Sequence, residues 1–195
     1  MAKLAEKEGY QVIHPFDDRR IIAGQGTLGL ELMQDLDGVD VVLCAVSGGG
    51  LISGVATAVK ALAPRVEVIG VQPQGSQAAK QSLQQGRPVS VDKAASIADG
   101  LLALRPGDMT FGIMRRLLDD ILLVSEEAIL QAMGLIARHL KVIAEPSGAV
   151  GLAAILEHQE RFRGRRVAVI LSGGNANPEV VSRAMNAIPR YGAGV

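Results

Sequence analysis

The chain alternates between short apolar segments and longer segments in which apolar residues recur at helical spacing. Five apolar segments rich in β-branched residues predict strands, at residues 11–14, 39–44, 66–71, 121–124 and 167–171. Most of these runs are continuous rather than alternating, which is typical of strands covered on both faces. The pattern therefore predicts an α/β fold, with a parallel sheet flanked by helices on both faces.

Capping chemistry marks where several helices begin. Thr27 is positioned to cap a helix over residues 27–36, and Ser125, followed by two glutamates, caps one over residues 125–140. Pro178 opens the last helix, because its fixed φ suits the first helical position. No internal repeat divides the chain, so the elements belong to one domain.

Three further interpretations concern residues without an assigned role. Residues 17–20, Asp-Asp-Arg-Arg, are interpreted as a solvated turn, and residues 85–106 as a long irregular segment rich in Gly and Pro. Met109, Met114 and Met133 occupy apolar helical positions and are expected to fill the core.

Composition and charge exclude several classes of protein. Of the 195 residues 48% are hydrophobic and the mean hydropathy is +0.26, which argues against disorder. Twenty basic and twenty acidic residues give no net charge, so neither nucleic acid nor an anionic membrane is an expected partner. The charged start and the absence of an apolar run of about 18 residues predict a cytoplasmic protein. The one cysteine, Cys44, lies in an apolar strand and is expected to be a buried hydrophobe.

The segment from residue 45 to 54, Ala-Val-Ser-Gly-Gly-Gly-Leu-Ile-Ser-Gly, joins a predicted strand to a predicted helix. Backbone N–H groups can surround an anion where no Cβ obstructs them, and the N-terminus of the following helix adds further donors. The loop is therefore a candidate phosphate site. The alternative is a tight strand-to-helix turn that binds nothing.

Two other segments of small residues follow predicted strands, at residues 72–76 and 172–177. The carboxyl ends of parallel strands meet at one edge of the sheet, where ligands gather. The hydroxyl of Ser172 could make one directed hydrogen bond there. Glu145, just before Pro146, is either a buried carboxylate of a site or an ordinary acidic residue at a helix start.

Five segments occur in an order that resembles the serine/threonine dehydratase and serine racemase family: residues 22–27, 46–54, 97–100, 145–148 and 172–175. This family belongs to the fold-type II pyridoxal-phosphate enzymes, which have the tryptophan synthase β-like fold. The resemblance covers essentially the whole chain. It implies pyridoxal phosphate as cofactor, an amino acid as substrate and assembly into a homo-oligomer.

The resemblance also implies roles for eight residues. Backbone N–H groups at five positions would hold the cofactor phosphate: Ser47, Gly48, Gly49, Gly50 and Leu51. Ser172 would meet the pyridine nitrogen, and Gly100 and Glu145 would line the ring. A hydroxyl cannot keep that nitrogen protonated as a carboxylate would, so the ring becomes a weaker electron sink, which suits β-elimination.

The sequence departs from the family in two respects. Relatives that bind a divalent cation have a Glu and an Asp where this chain has Gln72 and Ala78, so we predict no metal site. The Schiff-base lysine and its cofactor loop belong to an N-terminal part that residues 1–195 do not match. The chain is therefore expected to be the C-terminal part of the large domain, without the small domain, without a catalytic residue of its own and inactive alone.

The favoured function is that of a pyridoxal-phosphate-dependent L-serine/L-threonine ammonia-lyase, which converts a β-hydroxy amino acid to a 2-oxo acid and ammonia. A second hypothesis is a non-catalytic remnant of the fold that only associates with itself or with another chain. A third is a Rossmann dinucleotide domain, but the ribose-binding acid expected at the end of the second strand is replaced by Gln72, while Glu67 lies near the start of that strand.

Overall fold

The computed structural model describes residues 2–188, and these contain a four-stranded parallel sheet. The strands are β1 (Val41–Ala45), β2 (Glu67–Pro73), β3 (Asp120–Val124) and β4 (Val167–Val169). Their order across the sheet is β3-β2-β1-β4, and every neighbouring pair is parallel. Four of the five predicted strands are thus confirmed, with ends that differ by at most two residues.

Nine α-helices connect or flank the strands within the described residues. They are α1 (Ala2–Glu8), α2 (Arg19–Asp35), α3 (Gly50–Leu62), α4 (Ala78–Gln85), α5 (Asp108–Leu117), α6 (Glu126–Leu140), α7 (Pro146–Glu157), α8 (Gln159–Phe162) and α9 (Pro178–Ala187). A short 3-10 helix, Asp99–Leu101, interrupts the otherwise irregular segment between α4 and α5. Over residues 2–188, no helix has the length and apolar content that crossing a membrane requires.

Helices cover both faces of the sheet, as predicted. On one face Val42, Cys44 and Val68 form a core with residues of α3, α4 and α5, and on the other Leu43 and Ile69 pack against α6 and α7. Cys44 is fully buried, and burial raises the pKa of its thiol, so it serves as the small hydrophobe expected from the sequence.

Helices α2 and α3 lie so close together that glycine is required at their contact. A Cβ at Gly29 would come within 2.9 Å of the Ala58 Cβ, and a Cβ at Gly54 would overlap the carbonyl oxygen of Ile22. The segment at residues 22–27 therefore packs two helices together. This packing fixes α3, whose first residues carry the triple-glycine loop.

The predicted strand at residues 11–14 is wrong. These residues pair with no strand in the described chain, and the side chains of Val12 and Ile13 are more than half exposed. His14 Nδ1 accepts the N–H of Asp17 at 2.9 Å, which turns the chain towards α2. Residues with strand propensity become a strand only where a neighbouring strand can pair with them.

The start of α2 also differs from the prediction. The helix begins at Arg19, and Asp18 is its cap, with Oδ1 accepting the N–H of Arg20 at 2.8 Å. The Arg20 guanidinium bonded to Asp18 lowers the pKa of this carboxyl to about 2. Thr27 lies inside the helix, where its hydroxyl donates to the carbonyl of Gly24. A Thr hydroxyl can bond a preceding helical carbonyl as readily as it caps.

Two other predicted helix starts are confirmed. Ser125 Oγ accepts the N–H of Ala128 at 3.1 Å at the start of α6, and Pro178 opens α9 after the cap residue Asn177. Met114 and Met133 are buried as expected. Met109 is 37% exposed, so its assignment to the core is wrong.

Asp17 is not part of a solvated turn. Its carboxylate accepts the N–H groups of Asp108, Met109 and Thr110, at 3.0, 3.1 and 3.1 Å, and so caps α5 across 91 residues of sequence. Three unpaired donors at a helix start would otherwise need water. This cap ties the segment before α2 to α5.

We expect Asp17→Ala to lower the free energy of unfolding by about 1–2 kcal/mol, because it removes the cap of α5. Urea unfolding monitored by circular dichroism measures the effect. The matched control is Asp92→Ala, which removes an exposed carboxylate that accepts no hydrogen bond from residues 2–188. Equal losses in the two variants would show that the cap contributes nothing.

Candidate functional site

The site lies where the chain changes direction across the sheet. β2 and β3 lie on one side of β1 and β4 on the other, so the connections after β1 and before β4 leave a crevice at the carboxyl ends of these two strands. A cavity of about 580 Å³ occupies this place. It is lined by the loop after β1, residues 99–103, the start of α7 and the end of the β4 segment.

The loop after β1 presents a row of free backbone donors. The N–H groups of Ser47, Gly48, Gly49, Gly50 and Leu51 have no hydrogen-bond acceptor within residues 2–188. Gly49 is the N-cap of α3 and has a φ of +99°, which side-chain-bearing residues rarely adopt. The positive end of the α3 dipole adds to these donors, so the loop can hold an anion.

Phe16 packs on this loop and lines the same cavity. A Cβ at Gly48 would overlap the Phe16 ring, and a Cβ at Gly50 would lie 2.9 Å from the Cα and Cβ of Phe16. The glycines therefore do two things: they leave the amides uncovered, and they let an aromatic ring lie directly on the backbone.

The outward side of the loop is anchored by hydrogen bonds. Ser47 Oγ accepts the N–H of Ala103 at 3.0 Å. The carbonyl of Gly48 accepts the N–H of Gly107 at 3.1 Å and the hydroxyl of Thr110 at 2.6 Å. The loop is thus fixed between the irregular segment and α5.

At the opposite wall, Glu145 joins two of the segments named in the sequence. It lies directly before α7, its N–H donates to the carbonyl of Gly173 at 2.9 Å, and its Oε2 accepts the N–H of Asn175 at 3.0 Å. The residue is half-buried rather than buried. Its carboxylate therefore holds the loop after β4 instead of capping α7.

Ser172 and Gly100 complete the cavity wall. The Ser172 side chain is exposed, and its hydroxyl forms no hydrogen bond with the described residues, so it is free to bond a ligand. The N–H of Gly100 donates to Ser147 Oγ at 3.0 Å, and a Cβ at Gly100 would lie 2.9 Å from that oxygen. Close packing against α7 thus requires glycine at position 100.

All eight residues singled out in the sequence line this one cavity. Sequence reasoning missed Phe16, Ser147 and Thr110. Ser147 lies within a recognised segment and could have been named, whereas nothing in the sequence indicates that Phe16 or Thr110 reaches the loop. Among the lining residues drawn from the described chain, Asp99 and Glu145 carry the charge, and none is Lys, Arg or His.

The end of β2 does not contribute to the cavity. Gln72 is fully buried, and its side-chain oxygen accepts the N–H of Lys80 at 3.0 Å. A dinucleotide domain would need a carboxylate here for the ribose, and Gln72 supplies none. In the described part of the chain, no three His, Cys, Asp or Glu side chains are grouped so that they could hold a metal ion.

Comparison with known proteins agrees with this geometry. The model of the family described as "Pyridoxal-phosphate dependent enzyme" matches residues 1–173. The chain is 43% identical to the L-threonine ammonia-lyase of Thermotoga maritima over 184 residues, which are 94% of this chain and 46% of that protein. It is 40% identical to the serine racemase of Arabidopsis thaliana, over 90% of this chain and 54% of that protein. The chain thus spans about half the length of the curated relatives it matches.

Solved structures show the same fold. A bacterial threonine deaminase, from the organism abbreviated T.th., superposes with a TM-score of 0.87 at 46% identity, covering 91% of this chain and 66% of that one. Threonine deaminase isoform 2 from Solanum lycopersicum superposes with a TM-score of 0.90 at 34% identity, covering 95% and 52%. Fold, family model and relatives agree, and the chain belongs to the family of pyridoxal-phosphate-dependent enzymes.

Proposed function

We propose that the cavity between β1 and β4 binds pyridoxal phosphate, and that this chain carries that part of an ammonia-lyase acting on L-threonine or L-serine. The observation that carries the proposal is the row of N–H groups from Ser47 to Leu51 without acceptors. A phosphate ester supplies the acceptors that they lack. The substrate class is taken from the relatives, which are threonine ammonia-lyases, threonine deaminases and serine racemases.

The lining residues fit the cofactor in chemistry as well as in position. The five N–H groups would hold the phosphate, the free hydroxyl of Ser172 would bond the ring nitrogen, and Gly100 and Glu145 would border the ring. When bound, the cofactor supplies an electron-withdrawing ring that stabilises negative charge at the substrate Cα. Because a neutral hydroxyl does not keep the ring nitrogen protonated, that withdrawal is moderate, which favours loss of a β-hydroxyl over reactions that need a long-lived carbanion.

We further propose that residues 1–195 correspond to the C-terminal part of the large domain of such an enzyme, and that they do not attach the cofactor covalently. In support, no lysine lines the cavity within the described part of the chain. Cytoplasmic location and homo-oligomerisation stay predictions. Exposed apolar side chains on one segment, Leu140, Val142 and Ile143, supply surface for self-association, which light scattering on the purified chain measures.

Binding of the phosphate group is tested with a ligand pair that lacks the reactive aldehyde. We expect pyridoxine 5′-phosphate to bind the chain more tightly than pyridoxine by about ten-fold or more in isothermal titration calorimetry, because the loop amides bond only the ester. Equal affinities would contradict the proposal. Nicotinamide dinucleotides that raise the melting temperature, with no effect of pyridoxal phosphate, would favour the dinucleotide hypothesis instead.

Gly49→Ala tests the loop itself. Its Cβ would require a strained φ and would lie 2.9 Å from Thr110 and Met114, so we expect the affinity for pyridoxine 5′-phosphate to fall by about ten-fold. The matched control is Gly24→Ala, where a Cβ meets nothing within 4 Å. Thermal unfolding of both variants separates lost binding from lost folding, and an unchanged affinity in a folded Gly49→Ala variant would exclude the loop as the phosphate site.

Borohydride reduction tests the proposal that the cofactor is not attached covalently. After incubation with pyridoxal phosphate and reduction, we expect peptide mass spectrometry to find only scattered, substoichiometric modification of exposed lysines. Stoichiometric labelling of one lysine would show that this chain supplies the attachment point, and 2-oxo acid formation from L-threonine would then be expected as well.

A further inference from the structure

We propose that Thr110 is a positioning residue, which orients the peptide between Gly48 and Gly49 so that the Gly49 N–H faces the cavity. The inference rests on the proposed phosphate site and concerns how that site is kept in its binding geometry. Thr110 does not line the cavity, is fully buried, and lies in the first turn of α5, 62 residues away from Gly48 in sequence.

The contact between Thr110 and the loop is short and directed. Thr110 Oγ1 lies 2.6 Å from the carbonyl oxygen of Gly48 and 3.2 Å from that of Gly107. A hydroxyl has one proton to donate, and the shorter distance assigns it to Gly48. The N–H of Gly107 donates to the same Gly48 oxygen at 3.1 Å, so this carbonyl receives two donors from the start of α5.

The planarity of the peptide bond transmits this anchoring to the other side of the loop. In a trans peptide the C=O of one residue and the N–H of the next are coplanar and point in opposite directions. Because the Gly48 carbonyl points to α5, the Gly49 N–H points away from α5. That N–H has no acceptor among residues 2–188, and Gly49 lines the cavity.

The loop needs such an anchor because of its composition. Glycine on both sides of a peptide leaves its plane free to rotate, and Gly49 already has a φ of +99°. Rotation would turn the carbonyl, an acceptor, towards the bound phosphate. Two hydrogen bonds from α5 oppose this rotation, and the Asp17 carboxylate in turn holds the first N–H groups of α5 in place.

A residue that only stabilises the fold would have a different effect from a positioning residue. Loss of stability lowers the apparent affinity for every ligand of the cavity to the same extent. Loss of the Gly49 N–H orientation lowers the affinity for the phosphate ester alone. The ratio of the affinities for pyridoxine 5′-phosphate and pyridoxine therefore separates the two roles.

The experiment compares the wild-type chain with Thr110→Val, which keeps the shape and removes the hydroxyl. We expect the affinity ratio to fall by about five-fold, which corresponds to one hydrogen bond. Thr110→Ser restores the hydroxyl and is expected to keep the wild-type ratio. The control is Ser82→Ala, which removes a buried hydroxyl that bonds the carbonyl of Ala78 and the N–H of Val89, outside the cavity lining.

A second measurement reports on the donor directly and needs the wild-type chain and the serine variant alone. In ¹⁵N-glycine-labelled protein, the Gly49 amide resonance should shift on addition of pyridoxine 5′-phosphate in both proteins. A wild-type ratio in folded Thr110→Val, or no shift of the Gly49 resonance in a wild-type chain that prefers the ester, would overturn the inference. A wild-type chain without preference for the ester would instead overturn the proposed function.

Discussion

Five backbone N–H groups without acceptors, at the junction of β1 and α3, are the constraint on which the site depends. Unpaired donors at a helix start are ordinary when they face water, but here they line a cavity and are flanked by glycines that leave them uncovered. Other elements of the structure keep them in this state. The close contact of α2 with α3 fixes the helix, and α5 holds the far side of the loop.

The strand order β3-β2-β1-β4 explains why the cavity lies where it does, but not which ligand enters it. The same order occurs in one half of a dinucleotide-binding sheet, where the crevice beside the first strand also receives phosphates. The distinction comes from single positions. The uncharged Gln72 at the end of β2 offers nothing to a ribose, and the free hydroxyl of Ser172 beside β4 suits a ring nitrogen.

Much of the fold followed from the sequence, because continuous apolar runs and Ser or Pro at helix starts are local features with local causes. Ser125 and Pro178 act where the pattern placed them. The errors arose where a distant partner decides. Residues 11–14 have strand propensity but no neighbouring strand, and Asp17 bonds the start of a helix 91 residues away instead of water.

The candidate site shows the same division. The glycines, Glu145 and Ser172 could be named because each belongs to a short segment that follows a strand or precedes a helix, and the topology then brings these segments to one edge. Phe16 and Thr110 reach the loop only through the tertiary arrangement of α2 and α5. The role of Glu145 in holding the loop after β4 likewise depends on contacts that sequence spacing does not encode.

The absence of Lys, Arg and His from the part of the cavity wall formed by residues 2–188 has a consequence for ionic strength. An anion held by amide dipoles releases no counterions from cationic side chains when it binds, and the dipole field extends over little more than one helical turn. Added salt should therefore weaken its binding far less than at a lysine-rich phosphate site. The two carboxylates nearby would instead make affinity sensitive to the charge of the ligand, so that a dianion gains less over a monoanion than in a cationic pocket.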